Sequence, residues 1–175
     1  DFVAKNEKFQ EFCNEAATAL NDDPEADLEE KRANMVAEIG ENVRFPRHQS
    51  LSIDGNGAVA AYIHHGAKVG VLVAVETDKT ETVSSDAFKA LLRDLTLQIT
   101  AASPAVVDRD EIDQKTVDKE REFAAEQFKD KPAQAIEKIV EGKMEKYFSE
   151  YCLVDQAFVK QGDLAVKDHI AAVGK

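Results

Sequence analysis

The stretch AVAAYIHHGAKVGVLVAV, residues 58–75, holds two β-rich runs, AVAAYIHH and KVGVLVAV, joined by a short turn that contains Gly66. Valine, isoleucine and tyrosine suit a pleated backbone, and two such runs around a glycine-bearing turn read as an antiparallel hairpin. The second run is apolar at successive positions rather than alternate ones, which predicts a strand covered on both faces. Just upstream, VRFPRHQSLSI (43–53) reads as a further strand, with Pro46 confining it to an edge or a bulge because proline has no ladder N–H.

Helical periodicity surrounds this β-rich centre. Between Phe2 and Leu20 the residues Phe9, Phe12, Cys13, Ala16, Ala17 and Leu20 recur at steps of three and four, with Asp1 in the N-cap position. NDDPEAD (21–27) breaks that pattern, and Pro24 can start a second helix that turns Leu28, Met35, Val36 and Ile39 inward and stops at Gly40. SSDAFKALLRDLTLQITAA (84–102) predicts a strong helix capped by Ser85 or Asp86, with Phe88, Leu91, Leu92, Leu95 and Ile99 as its inner stripe and Pro104 beyond its end.

Residues 110–148 differ in kind: two charged helices flank the turn KDKP. Ile112, Val117, Ala124 and Phe128 on the first, with Ile136, Ile139 and Val140 on the second, are sparse for a globular core and suit the narrow seam of an antiparallel helical hairpin projecting into solvent. Such an arm serves either as a plain spacer or as a docking element. Gly142, inside the second helix, suggests close helix approach. The remainder, CLVDQAFVKQGDLAVKDHIAAVGK (152–175), predicts an extended segment and one short helix.

The chain has 175 residues, a hydrophobic content of 43% and a formal net charge of −12. That length permits one compact domain or two small ones. The negative charge argues against nucleic acid and anionic lipid surfaces, since both bind through Lys and Arg. VGVLVAV falls far short of the roughly 20 apolar residues that cross a bilayer. Cys13 and Cys152 show no metal or redox spacing, so a disulfide framework is not expected and a reducing cytoplasm is. The chain begins without Met, in what reads as the middle of a structure, as a fragment or a processed chain would.

Tests for enzymatic chemistry return little. GxxxxGK[ST], GxGxxG after a strand, GxSxG and HExxH are all absent from the sequence. His64 and His65 are adjacent, so on a strand they point to opposite faces; one facing the core and one facing solvent or a partner is the expectation, rather than a metal site. Phe2 has two readings. It can fold back as a hydrophobic staple on its own helix, or fill a pocket on another protein as a hot spot.

Several stretches together resemble the translation elongation factor Ts family: DFVAKNEKF (1–9), AEIGENV (37–43), YIHHGAKVGVLVAV (62–75), ASP (102–104) and KIVEGKMEKYFSEYCLVDQAFV (138–159). The sequence departs from the family at Gln156-Ala157-Phe158, where the family has Pro in the middle. The resemblance implies the core or dimerisation region of such a factor, truncated at both ends: an α+β fold of two related subdomains with small antiparallel sheets covered by helices, plus a protruding coiled-coil arm. It assigns 1–53 to a partial first subdomain, 54–107 to the first part of a second, 108–150 to the arm and 151–175 to a return segment with a short helix. It also implies a non-enzymatic guanine-nucleotide exchange factor for elongation factor Tu, without a cofactor or metal of its own, in bacterial cytoplasm or in an organellar matrix or stroma. Asp1 and Phe2 would enter the partner's GTPase domain, Ile39 and Gly40 would join that contact, and His64 would face another domain of the partner. A homodimer is compatible with this reading. The alternative is a scaffold or oligomerisation module that works through the helical arm.

Overall fold

The computed structural model describes residues 28–44, 49–65 and 69–174. They fall into two compact units, divided between Asp78 and Lys79. The elements are helices plus two small antiparallel two-stranded sheets, an α+β fold. The expected helix from Phe2 to Leu20 and the expected start at Pro24 lie outside the described residues.

In the first unit, helix α1 (Glu29–Ile39) ends at Gly40. Its inner side chain Met35 is buried with Val43, and Val36 and Ile39 pack against that pair. Strands β1 (Gly57–Ile63) and β2 (Gly70–Glu76) form the predicted hairpin, registered from Gly57 opposite Glu76 to Ile63 opposite Gly70. Gly57 is required by close approach: a Cβ there would lie 2.5 Å from the Val75 carbonyl oxygen and 2.9 Å from Ile53 Cδ1.

Two expectations fail in this unit. The described parts of 43–53, residues 43–44 and 49–53, are not strand, and Pro46 lies outside the described residues; a strand needs a ladder partner, and among the described residues the β1–β2 sheet pairs two strands. Nor is the hairpin covered on both faces. Tyr62, Val71, Val73 and Val75 share the more buried face, whereas Val59, Ile63 and Leu72 point to the other and remain exposed. Apolar composition alone cannot show whether a second layer is supplied.

In the second unit, the short helix α2 (Thr80–Ser84) leads into α3 (Asp86–Ala102). Ser85 caps α3 as predicted, its Oγ accepting a hydrogen bond from the Phe88 N–H at 3.1 Å. Phe88, Leu91, Leu92 and Leu95 are buried, and Ser103 takes a left-handed conformation ahead of Pro104. Helices α4 (Gln114–Glu126) and α5 (Ala133–Tyr151) pack side by side. Lys143 lies over the Phe128 ring near one end, and Val117 packs with Phe148 near the other, so the two helices run antiparallel.

Their core is richer than the sequence suggests. Val117, Met144, Phe148 and Cys152 are buried together, with Ile112, Val140 and Tyr147 against them. Gly142 does not mediate close helix approach: nothing lies within 4 Å of where its Cβ would stand. Beyond a 3-10 turn, Leu153–Asp155, the strands β3 (Ala157–Phe158) and β4 (Gln161–Ala165) pair antiparallel and deliver the chain to α6 (Val166–Val173).

An ionic cluster holds the base of the α4–α5 pair. Arg109 donates to Asp155 Oδ2 at 2.6 Å and, through both terminal nitrogens, to the Glu145 carboxylate at 2.9 Å; its guanidinium carbon lies 4.5 Å from the centre of the Phe148 ring. Lys167 donates to the other Asp155 oxygen at 2.9 Å. The Arg109 hydrogen bond holds the Asp155 carboxyl below the usual carboxylate range, against the opposing pull of burial.

Two predictions follow from this packing. Gly142→Ala raises unfolding free energy in urea by about 1 kcal/mol, because alanine is the better helix former and meets no neighbour here. Asp155, with its folded pKa lowered, contributes stability that is present above its unfolded pKa of about 3.9 and lost as pH falls through the folded value. The Asp155→Asn variant is therefore less stable than the parent at neutral pH, and the two stability curves converge on acidification.

Candidate partner-binding surface

The residues singled out by sequence stand on separate elements. Asp1 and Phe2 lie outside the described residues. Ile39 and Gly40 close α1. Ile39 is half-buried against the Met35–Val43 pair, while Gly40 is exposed, at φ 73°, with its N–H donating to the Val36 carbonyl at 3.0 Å. This left-handed conformation suits a residue without Cβ and turns the chain sharply out of the helix. Arg32 steadies the turn by donating to the Val43 carbonyl at 3.0 Å while it pairs with Glu29. The hydrogen bonds that Arg32 donates to Glu29 hold that carboxyl below the usual range.

His64 follows the last paired residue of β1. Its backbone N–H donates to the Val69 carbonyl at 2.9 Å, so the main chain is fixed across the hairpin. Its ring is exposed, with Nδ1 3.1 Å from Tyr62 Oη and the two rings tilted by 53°. His65 is exposed as well, so the expected split between core and solvent does not occur. Both residues lie past the last paired position, where strand alternation no longer assigns faces. Among the described residues, no group of three or more His, Cys, Asp or Glu side chains is placed to hold a metal ion.

Sequence reasoning missed two features. One is the Tyr62 hydroxyl beside His64 Nδ1; their spacing of two residues is the sole sequence signal, and it is weak because His64 lies past the last paired position of the strand. The α4–α5 pair also carries an open groove of about 290 Å³, lined among others by Glu120, Phe123, Lys143, Tyr147 and Tyr151. Phe123 is 64% exposed, and Tyr147 and Tyr151 stack at 4.5 Å between ring centres. No helix among the described residues is long and apolar enough to cross a membrane.

Comparison with known proteins places these elements in a family. The sequence profile of the family described as elongation factor TS matches residues 1–175. Relatives named elongation factor Ts include those of Trichlorobacter lovleyi, 36% identical and matched over all of this chain and 62% of the relative, and Syntrophotalea carbinolica, 38% identical over 100% and 62%. That of Clostridioides difficile is 39% identical over 100% of this chain and 61% of its own length. The chain belongs to the elongation factor Ts family, and it spans about three-fifths of the length of these relatives.

Gly40→Ala tests the turn. A left-handed alanine costs roughly 1 kcal/mol, and nothing crowds the added methyl, so the loss in urea unfolding should be of that size and no larger.

Proposed function

We propose that this chain promotes GDP release from elongation factor Tu. The observation that carries the reading is the family match along all 175 residues. In this proposal the Asp1–Phe2 tip inserts into the partner's GTPase domain and disturbs its Mg²⁺ and phosphate site, Ile39 and Gly40 extend that contact, and His64 meets another domain. The chain breaks no bond and holds no cofactor of its own; nucleotide and metal belong to the partner. Its setting is bacterial cytoplasm or an organellar matrix or stroma.

Physically, exchange is a coupling between two ligands. A factor that weakens GDP binding is weakened by GDP to the same extent, because both effects close one thermodynamic cycle. The tip must therefore complement the nucleotide-free partner better than the GDP-bound one. Gly40 supports such a role as an exposed turn held by its own helix.

The test is release of fluorescent GDP from elongation factor Tu. Phe2→Ala should slow accelerated release by about tenfold or more, the worth of one large apolar side chain in a pocket, and leave Tm within about 2 °C of the parent. A large fall in Tm with unchanged release favours the hydrophobic staple instead. The exposed aromatic groove on α4–α5 favours a second reading, a scaffold or oligomerisation module acting through a projecting arm. It predicts no acceleration of GDP release at any concentration, together with self-association that Phe123→Ser abolishes.

A further inference from the structure

We propose that Tyr62 is a positioning residue whose hydroxyl donates to His64 Nδ1, fixing the neutral imidazole in the tautomer that presents Nε2–H outward as a hydrogen-bond donor for a partner protein. This rests on the reading of His64 as a partner contact.

The geometry is local and specific. Tyr62 is half-buried on the more covered face of the hairpin, opposite the buried Val71, so its ring is held while its hydroxyl reaches the strand end. His64 stands two residues on, its main chain tied to Val69, with 3.1 Å between Tyr62 Oη and Nδ1. The direction of that bond follows from the chemistry of the two groups. A phenolic lone pair is drawn into the ring and accepts weakly, whereas the unprotonated nitrogen of imidazole accepts well and phenol is a good donor. With Nδ1 accepting, the ring proton must sit on Nε2.

The consequence is preorganisation. An exposed histidine samples two tautomers and several ring orientations, and a partner that needs one of them must select it at the expense of affinity. Held by Tyr62, His64 offers a single N–H along a defined direction, suited to a main-chain carbonyl or a carboxylate. Tyr62→Phe keeps the packed ring and removes only the hydroxyl.

The experiment has two readouts. Long-range ¹H–¹⁵N correlation spectra of the isolated protein near pH 8 report which ring nitrogen carries the proton. The parent should show Nε2–H alone, and Tyr62→Phe a mixture of tautomers with Tm within about 2 °C. Affinity for nucleotide-free elongation factor Tu should fall about threefold to tenfold in Tyr62→Phe, at least as far in His64→Ala, and no further in the double variant than in His64→Ala. An Nδ1–H tautomer in the parent, or tautomer populations unmoved by Tyr62→Phe, overturns the proposal at Tyr62. If the tautomers shift but neither variant changes affinity, it is overturned at His64, because no partner reads the fixed proton.

Discussion

Two glutamine side chains, Gln98 and Gln156, hold the second unit in register. Gln98 is wholly buried; its Nε2 donates to Gln156 Oε1 at 3.1 Å and to the Ala157 carbonyl at 3.2 Å, while its Oε1 accepts from the Val159 N–H at 2.8 Å. Gln156 passes the network on, donating from its own Nε2 to the Glu150 carbonyl at 2.9 Å and the Ala102 carbonyl at 3.4 Å. A buried amide left unpaired costs on the order of 1–3 kcal/mol, so a network of this kind tolerates only the arrangement that satisfies all of it. One pair of amides thereby fixes the end of α3, the end of α5 and the start of the β3–β4 hairpin. The ionic cluster at Arg109 and Asp155 is built on the same junction, since Asp155 directly precedes Gln156.

None of that network was legible beforehand. Gln98 reads as one more polar residue on an amphipathic helix, because its burial depends on a segment 58 residues further along the chain. Apolar periodicity fared better: the stripe from Phe88 to Leu95, the Ser85 cap and the left-handed Gly40 all follow from local rules. It also misled. Residues 110–148 are so charged that their apolar positions read as sparse, although steps of four from Val140 continue through Met144 and Phe148 into the most buried part of the helix pair. Gly142 points away from that seam, as its place two residues from both Val140 and Met144 requires once Met144 is counted in.

For the candidate site, sequence marked positions but not their support. Ile39 and Gly40 were visible as a helix end and His64 as the end of a strand, but not the Arg32 bond to the Val43 carbonyl or the Tyr62 hydroxyl beside Nδ1. The first support depends on how the turn after α1 closes, and the second on a ring orientation that spacing in sequence does not give. Binding factors depend on such second contacts, because a surface side chain contributes affinity only to the extent that its orientation is settled before the partner arrives.

Cys152 joins the two halves of this picture. It lies at the end of α5, completely enclosed among Val117, Met144 and Phe148, and burial pushes its thiol above the ordinary range. The reactive species for alkylating agents is the exposed thiolate, so this sulfur is chemically silent while the junction remains shut. The pace at which a thiol reagent consumes it thus becomes a built-in clock for transient detachment at the foot of the helix pair, a local opening that spectroscopic melting curves average away.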